Sequence, residues 1–347
     1  LNENPKEAFH TLYQKANDIT TPQEYQDDLR SRADRKIEEY FRSLEQKIAE
    51  ALTNKRYTEA KKIFETLQDE LGPWRQLEKL SSRLSAVEQK IAEAEVENEL
   101  AQVESEIKKE SASFEELYKR LQKVLQHPKL KDQQRAKTKN LQDDLLTRWE
   151  DHEYQTLRKF EANQQLENLE TALKRYTDPK TPYYQKISNK RWNAARQLLK
   201  WFQQFEGVRE YEITHIEGKG IPRNNIWPPW DLDFDFAFRV QVGQKEYIIP
   251  GTYEIEGEGT VALQEAIKLS WSPGTQVTID IWDEQVGKKG HYVGKISISD
   301  KYSLIKICTS PQKIDASNTN WMGHNWSEAQ IRWISPKITP PPTLPGE

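Results

Sequence analysis

The chain has 347 residues, and its 51 basic and 55 acidic side chains give a formal net charge of −4 at pH 7. This near balance gives no general electrostatic reason to bind nucleic acid, so we expect no nucleic-acid partner. The length favours two domains, and 35% hydrophobic residues indicate thin cores in an elongated molecule. The single cysteine excludes an intrachain disulfide, and the lack of any run of 18 apolar residues excludes a membrane-spanning helix.

The first part of the chain carries apolar stripes with the 3-4 spacing of amphipathic helices. The clearest stripe runs from Leu77 to Ile107, and others begin at Ile37, Leu141 and Trp192. Such narrow stripes bury one face of a helix and leave the rest solvated.

A weak internal repeat organises these stripes. Each long stripe is followed by a shorter one, and these begin at Tyr57, Phe114 and Leu166. A proline follows each short stripe, at Pro73, Pro128 and Pro179. The repeat distance is roughly 50 to 57 residues, which predicts an antiparallel helical array, or coiled-coil-like bundle, of three long-short units.

The composition changes abruptly near Gly207. Thirteen of the 14 glycines and seven of the 11 tryptophans lie from this residue onwards. Glycine-poor, charge-dense sequence is typical of helix, and glycine-rich alternation is typical of sheet. We therefore predict a helical domain over residues 1–206, an all-β domain over 207–335, and a mobile proline-rich tail over 336–347 that cannot join a sheet.

Period-2 alternation marks the strands of the second part. Apolar and polar residues alternate from Leu232 to Val242, and again from Val277 to Trp282. Short runs at residues 212–214 and 306–308 predict further strands. The run at 306–308 holds Cys308, which we expect to be a buried, unreactive thiol.

The segment over residues 275–294, TQVTIDIWDEQVGKKGHYVG, carries a family resemblance. It resembles the late strand, third loop and following strand of a C2 domain. Residues 235–240, DFAFRV, are similar to the Asp-Pro-Tyr-Val-Lys-Val signature of that family, without its proline. The resemblance covers about residues 208 to 310 and none of the helical part, and it implies a C2-like β-sandwich.

C2 domains often bind calcium through clustered aspartates, because this hard cation needs six to eight oxygen ligands. By the resemblance, Asp235 and Asp283 match ligand positions. The other positions depart from the family pattern, since Gln285 and His291 stand where further ligands are expected. We therefore predict a C2-like domain without a full calcium site and without any cofactor.

Two loop clusters are candidates for contact with a membrane or a partner. Lys288 and Lys289, with His291, form a small basic tip, and Trp227 and Trp230 can form an aromatic wedge. The alternative is that the lysines are solvated and that the rings cap one end of the sandwich. Each basic residue near a membrane contributes only about 1 kcal/mol, which favours this alternative.

No motif in the chain indicates catalysis, and we predict that the protein is not an enzyme. The leading hypothesis is a scaffold or adaptor whose helices present the C2-like head to a protein partner, with a membrane surface as a second choice. The alternatives are a self-associating, membrane-shaping helical protein, and a carbohydrate-binding or hydrolytic accessory module using Trp321, Trp326 and Trp333. A cytoplasmic or membrane-peripheral location is favoured, although a start at Leu1 leaves room for an upstream signal, anchor or domain.

Overall fold

The computed structural model describes residues 11–12, 14–18, 22–70, 78–109, 113–221, 235–248, 253–254, 257–283, 291–316 and 328–346. A helical part precedes a β region. The helices of the first part are α1 (Gln23–Thr53), α2 (Tyr57–Glu70), α3 (Glu78–Ile107), α4 (Phe114–Leu125), α5 (Asp132–Ala162), α6 (Leu166–Tyr176) and α7 (Asn189–Gln203). Among the helices that the structure describes, none is long and apolar enough to cross a membrane.

The chain divides into two compact units, residues 1–149 and 150–347. The predicted boundary after residue 206 coincides with the change from helix to strand, because α7 ends at Gln203 and the next strand begins at Arg209. The compact units divide earlier, so the end of α5, together with α6 and α7, belongs to the same unit as the β region.

Among the described residues of the first unit, two hydrophobic cores both use α3. The first core is formed by α1, α2 and the first half of α3, where Leu84, Val87 and Ile91 are buried. The second core is formed by the second half of α3 with α4 and α5, and it contains Val103 and Leu121. The predicted order of long and short helices is confirmed, because each short stripe lies on a short helix that begins at Tyr57, Phe114 or Leu166.

The β region contains two antiparallel sheets. Its strands are β1 (Arg209–Ile221), β2 (Asp235–Val242), β3 (Lys245–Ile248), β4 (Tyr253–Glu254), β5 (Gly257–Trp271), β6 (Val277–Asp283), β7 (His291–Ile298), β8 (Gln312–Lys313), β9 (Asp315–Ala316) and β10 (Gln330–Ile334). The four-stranded sheet has the order β5-β1-β10-β8, and the six-stranded sheet has the order β3-β2-β6-β7-β9 with β4 paired to β2.

The predicted alternation is visible in the burial of the central strands. Phe238 and Val240 on β2 are buried, whereas Arg239 between them is exposed. On β6, Val277, Ile279 and Ile281 are buried and alternate with half-buried residues. This period-2 pattern gives the six-stranded sheet one face in the core and one face towards solvent.

The strand predicted around residues 306–308 is wrong, because these residues lie in helix α8 (Lys301–Thr309). Asp300 caps this helix: its side chain accepts a hydrogen bond from the backbone N–H of Ser303, whose hydroxyl accepts one from the backbone N–H of Asp300. This reciprocal capping box fixes the first turn and outweighs the β propensity of the isoleucines. Cys308 is buried, as predicted.

The proline-rich tail, which we expect to be mobile, makes contacts with the helices. Residues 338–346 belong to no helix or strand, yet Leu344 is buried. The tail accepts and donates hydrogen bonds with side chains of α5 and α7, including one from the indole of Trp201 to the carbonyl of Thr339. Proline keeps a segment out of a sheet ladder, but its carbonyls remain free to accept side-chain hydrogen bonds.

Candidate functional site

The strand ends that carry the calcium-loop positions meet at one end of the six-stranded sheet. In the backbone register, Asp283 lies opposite Phe236 and His291, and Asp235 lies opposite Glu254. The side chains of these acidic residues and of His291 lie outside what the structure describes. Within the described parts of the chain, no group of three or more histidines, cysteines or acids is arranged to hold a metal ion.

The two predicted contact loops fall outside the described residues. These loops carry Trp227, Trp230, Lys288 and Lys289. The aromatic wedge and the basic tip therefore stay predictions. Of the late tryptophans, Trp333 is buried and only 1% exposed, so it packs in the interior and does not offer a ring to a sugar.

A row of paired residues crosses the solvent-facing side of the six-stranded sheet, and we call it the cross-sheet row. Its members are Ile248 on β3, Arg239 on β2, Asp280 on β6, Lys295 on β7 and Asp315 on β9. Directly paired residues of neighbouring antiparallel strands share a face of the sheet. The four charged members alternate in sign, so the row carries no net charge, and Ile248 adds an apolar side chain at its β3 end.

Aromatic rings flank this row. The ring of Trp282 contacts that of Tyr292 edge to face, with centroids 5.2 Å apart, and the guanidinium of Arg239 lies 5.6 Å from the Trp282 ring centroid. The hydroxyl of Tyr292 donates a hydrogen bond to Asp280 Oδ1 at 3.4 Å. Burial and the nearby Asp280 carboxylate raise the pKa of Tyr292, so this phenol stays protonated as a donor.

The edge of the sheet adjoins the same surface. Strand β3 is the terminal strand in the sheet order, and all four of its residues are exposed. Ile248 is 71% exposed and lies directly opposite Arg239. Arg239 is held in place by Glu246, whose Oε1 lies 2.9 Å from the arginine Nε. An exposed isoleucine beside a fixed arginine and two aromatic rings is a surface suited to binding.

The sequence contained part of this signal. Alternation places Arg239 on the polar face of β2 and Asp280 on the polar face of β6, but single strands do not specify their register. The row is defined by the register of five paired strands, which no single strand specifies. Chemically, the surface offers hydrogen bonds, ring stacking and matched charges, which are the means of recognition.

Comparisons with known proteins give no family. No protein-family model matches the chain, and no curated protein matches it. Among solved structures, it is similar to a calcium-bound pair of C2 domains from extended synaptotagmin 2, with a TM-score of 0.24, 14% identity, and coverage of 38% of this chain and 46% of that one. It is also similar to a C2 domain-containing protein from a putative elicitor-responsive gene, with a TM-score of 0.24, 14% identity, and coverage of 39% and 94%.

A third structural match is of another kind. The S-layer protein rSbsC(31-844) matches over 85% of this chain and 44% of its own, with a TM-score of 0.21 and 13% identity. The chain thus spans less than half of two of these three structures. All three matches lie at low TM-score.

Proposed function

We propose that this protein is a non-enzymatic scaffold or adaptor whose β region is a calcium-independent, C2-like binding head for a protein partner. The observation that carries the proposal is the cross-sheet row with its flanking rings. Arginine and aromatic residues are enriched where protein interfaces concentrate their binding energy, and Ile248 adds apolar surface beside them. The helical part serves to carry this head.

The charge of the surface favours a protein over a membrane. Anionic lipids attract clusters of basic residues, at about 1 kcal/mol for each. In the cross-sheet row, Arg239 and Lys295 are matched by Asp280 and Asp315. A surface of alternating charges fixes the register of a complementary protein surface but gives little net attraction to a lipid headgroup layer.

Calcium is not expected to take part. By the C2 resemblance, only Asp235 and Asp283 stand at ligand positions, and two carboxylates supply too few oxygens for a site of useful affinity. Isothermal titration with calcium is therefore expected to give no heat of binding to the β region.

The first experiment separates the two kinds of partner. The protein is sedimented with liposomes, with and without anionic lipid, at low and physiological salt, in calcium and then in chelator. We expect no sedimentation under any condition. Salt-sensitive binding that is indifferent to calcium would contradict the choice of a protein partner and would make Lys288 and Lys289 the first residues to substitute.

The second experiment tests the surface itself. Proteins bound by the intact chain are compared with those bound by R239A, which removes an exposed guanidinium, and by K313A as the matched control. Lys313 is also exposed and also paired, with Glu328 at 3.4 Å, but it lies in the other sheet. The proposal expects a bound protein that R239A loses and K313A keeps. Equal retention by both variants would reject the cross-sheet row as the interface.

The self-association of the helices remains a hypothesis. The stripe that suggested it is buried inside the chain's own cores, since Leu84, Val87, Val103 and Ile107 each have partners there. Light scattering across a range of concentrations tests self-association directly, because a constant monomer mass would rule it out.

A further inference from the structure

A groove between α5 and α7 holds the proline-rich segment of the chain, residues 338–346. The segment belongs to no helix or strand. Its prolines, Pro340, Pro341, Pro342 and Pro345, restrict the backbone to the polyproline region before any contact is made. Little conformational entropy is therefore lost when it docks.

Three side chains of the helices bind the backbone of the segment. The Trp201 indole N–H donates to the carbonyl of Thr339 at 2.9 Å, and the Tyr154 hydroxyl donates to the carbonyl of Pro345 at 2.8 Å. The backbone N–H of Leu344 donates to Glu161 Oε1 at 2.9 Å. Tyr154 and Glu161 are seven residues apart on α5, which places them two turns apart on one face.

The aromatic donors of the groove are held in position by other side chains that pack against their rings. The ring of Tyr154 lies 5.9 Å from that of Tyr176 and beneath the guanidinium of Arg191, at 4.3 Å. The ring of Trp201 lies 5.1 Å from that of Phe205. Fixed rings that offer N–H and O–H donors to proline carbonyls are a recurrent means of recognising polyproline ligands.

One side chain of the segment is an anchor. Leu344 is 6% exposed, whereas Pro341 and Thr343 on either side of Pro342 are exposed. A cavity of about 260 Å³ remains beside the segment and is lined by Leu169, Leu198, Phe202, Pro341 and Thr343, among others. The groove is therefore wider than the segment that now occupies it.

We infer that this groove is a recognition site for proline-rich segments with a leucine anchor, open to such a segment of a partner protein and occupied here by the chain's own residues 338–346. The unfilled cavity beside Thr343 indicates that a partner with a larger apolar residue at that position binds more tightly than the chain's own segment. This surface lies on the helices and does not depend on the proposed role of the cross-sheet row.

The test uses a chain that lacks residues 337–347 and a fluorescently labelled peptide of sequence KITPPPTLPGE. Anisotropy is expected to show saturable binding of one peptide per chain. The intact chain is expected to bind the same peptide at least tenfold more weakly, since its own segment competes at high effective concentration. Far-ultraviolet circular dichroism of the shortened chain checks that it is folded.

Substitutions locate the binding. Y154F keeps the ring and removes the hydroxyl donor, and W201F replaces the indole with a smaller ring that has no N–H donor; each is expected to weaken binding about fivefold to tenfold. A peptide with alanine in place of Leu344 is expected to bind at least tenfold more weakly, and one with leucine in place of Thr343 several-fold more tightly. K180A, an exposed change outside the groove, is the control and is expected to bind as the parent does.

Three outcomes would overturn the inference. They are no peptide binding by a folded shortened chain, binding that is unchanged in W201F and Y154F, and full-length dimers that become monomers when residues 337–347 are removed. The last outcome would assign the groove to a second copy of this chain. If the shortened chain does not fold, L344S in the full chain releases the anchor instead, and added peptide is then expected to bind more tightly than to the parent chain.

Discussion

The carboxylate of Glu170 on α6 lies 2.5 Å from the ammonium of Lys301 on α8, and its side chain is only 1% exposed. Lys174 Nζ lies 2.8 Å from the other carboxylate oxygen, and the Tyr302 hydroxyl donates to Glu170 at 3.1 Å. This buried acid therefore joins the helices of the second unit to the helix that follows β7. A buried acid with two cations and a phenol is held as the charged form.

The stability of the second unit is expected to depend on the protonation of Glu170. Burial raises the pKa of this carboxyl, but the hydrogen bonds from Lys174 and Lys301 outweigh burial and bring the pKa below its usual value. A lowered pKa gives stability that is present above the unfolded pKa of about 4.3 and is lost as the pH falls towards the folded pKa. E170Q is expected to be less stable than the parent at pH 7, by a margin that shrinks below about pH 4.5.

Urea denaturation at pH values from 7 down to 3.5 measures this margin. E115Q is the matched control, since Glu115 also pairs with a lysine four residues away but is exposed. Because water screens this exposed pair, E115Q is expected to differ from the parent by much less than E170Q does at every pH. A stability difference between E170Q and the parent that stays constant with pH would contradict the lowered pKa of Glu170.

Two glycines with the same backbone conformation predict different costs for an added methyl group. Gly220 has φ +63° and Gly243 has φ +59°, but a Cβ at Gly220 would lie 2.6 Å from the carbonyl oxygen of Glu328. At Gly243, nothing lies within 4 Å of that position. We expect G243A to cost about 1 kcal/mol from the left-handed backbone alone, and G220A to cost about 3 kcal/mol because the backbone at Glu328 must also shift.

Chemical denaturation of both variants checks the difference. Equal losses would show that the close approach of residues 220 and 328 relaxes without cost.

A buried carboxylate on α5 is expected to matter more than its exposed neighbour. Arg191 Nη1 lies 2.9 Å from Glu150, which is buried, and Arg191 Nη2 lies 3.1 Å from Asp151, which is 51% exposed. The Tyr176 hydroxyl also donates to Glu150. E150A leaves the arginine and the phenol without this partner and is expected to cost about 3 kcal/mol. D151A removes a screened contact and is expected to cost about 0.5 kcal/mol.

Each variant removes one carboxylate partner of Arg191, so their denaturation midpoints compare the buried partner with the exposed one. A loss of stability in D151A as large as that in E150A would contradict the greater contribution of the buried carboxylate.

The only cysteine of the chain is expected to report on the unfolding of α8. Burial raises the pKa of the Cys308 thiol to about 12, so the reactive thiolate is scarce at pH 8. A thiol reagent is expected to modify the folded protein at least a hundredfold more slowly than the protein in denaturant. Rapid modification of the folded protein would show that α8 opens on its own.

The helical part could be predicted from the sequence because its signal is local. The stripes at Tyr57, Phe114 and Leu166 follow the helical period, and residues three or four apart must meet on one face. The β strands at 235–242 and 277–283 were likewise visible from alternation. Their pairing was not, since register depends on contacts between distant residues.

The wrong strand and the unforeseen contacts of the tail have identifiable physical reasons. The short apolar run at residues 306–308 suggested a strand, and the missed signal was Asp300 with Ser303, the spacing of a capping box. The prolines of the tail predict only that it stays out of a sheet ladder. Nothing local indicates that Tyr154 and Trp201 supply donors from far along the chain, and the same holds for the partners of Glu170.

The shared use of α3 has a consequence for how such a chain can grow. A separate three-helix core requires three helices of its own. Here α3 contributes to both cores, so the second core needs only two further helices, α4 and α5. A duplication of one long helix and one short helix is then sufficient to add a complete core. Neighbouring cores in such an array are therefore coupled through the long helix that they share, as neighbouring units are in other repeat proteins.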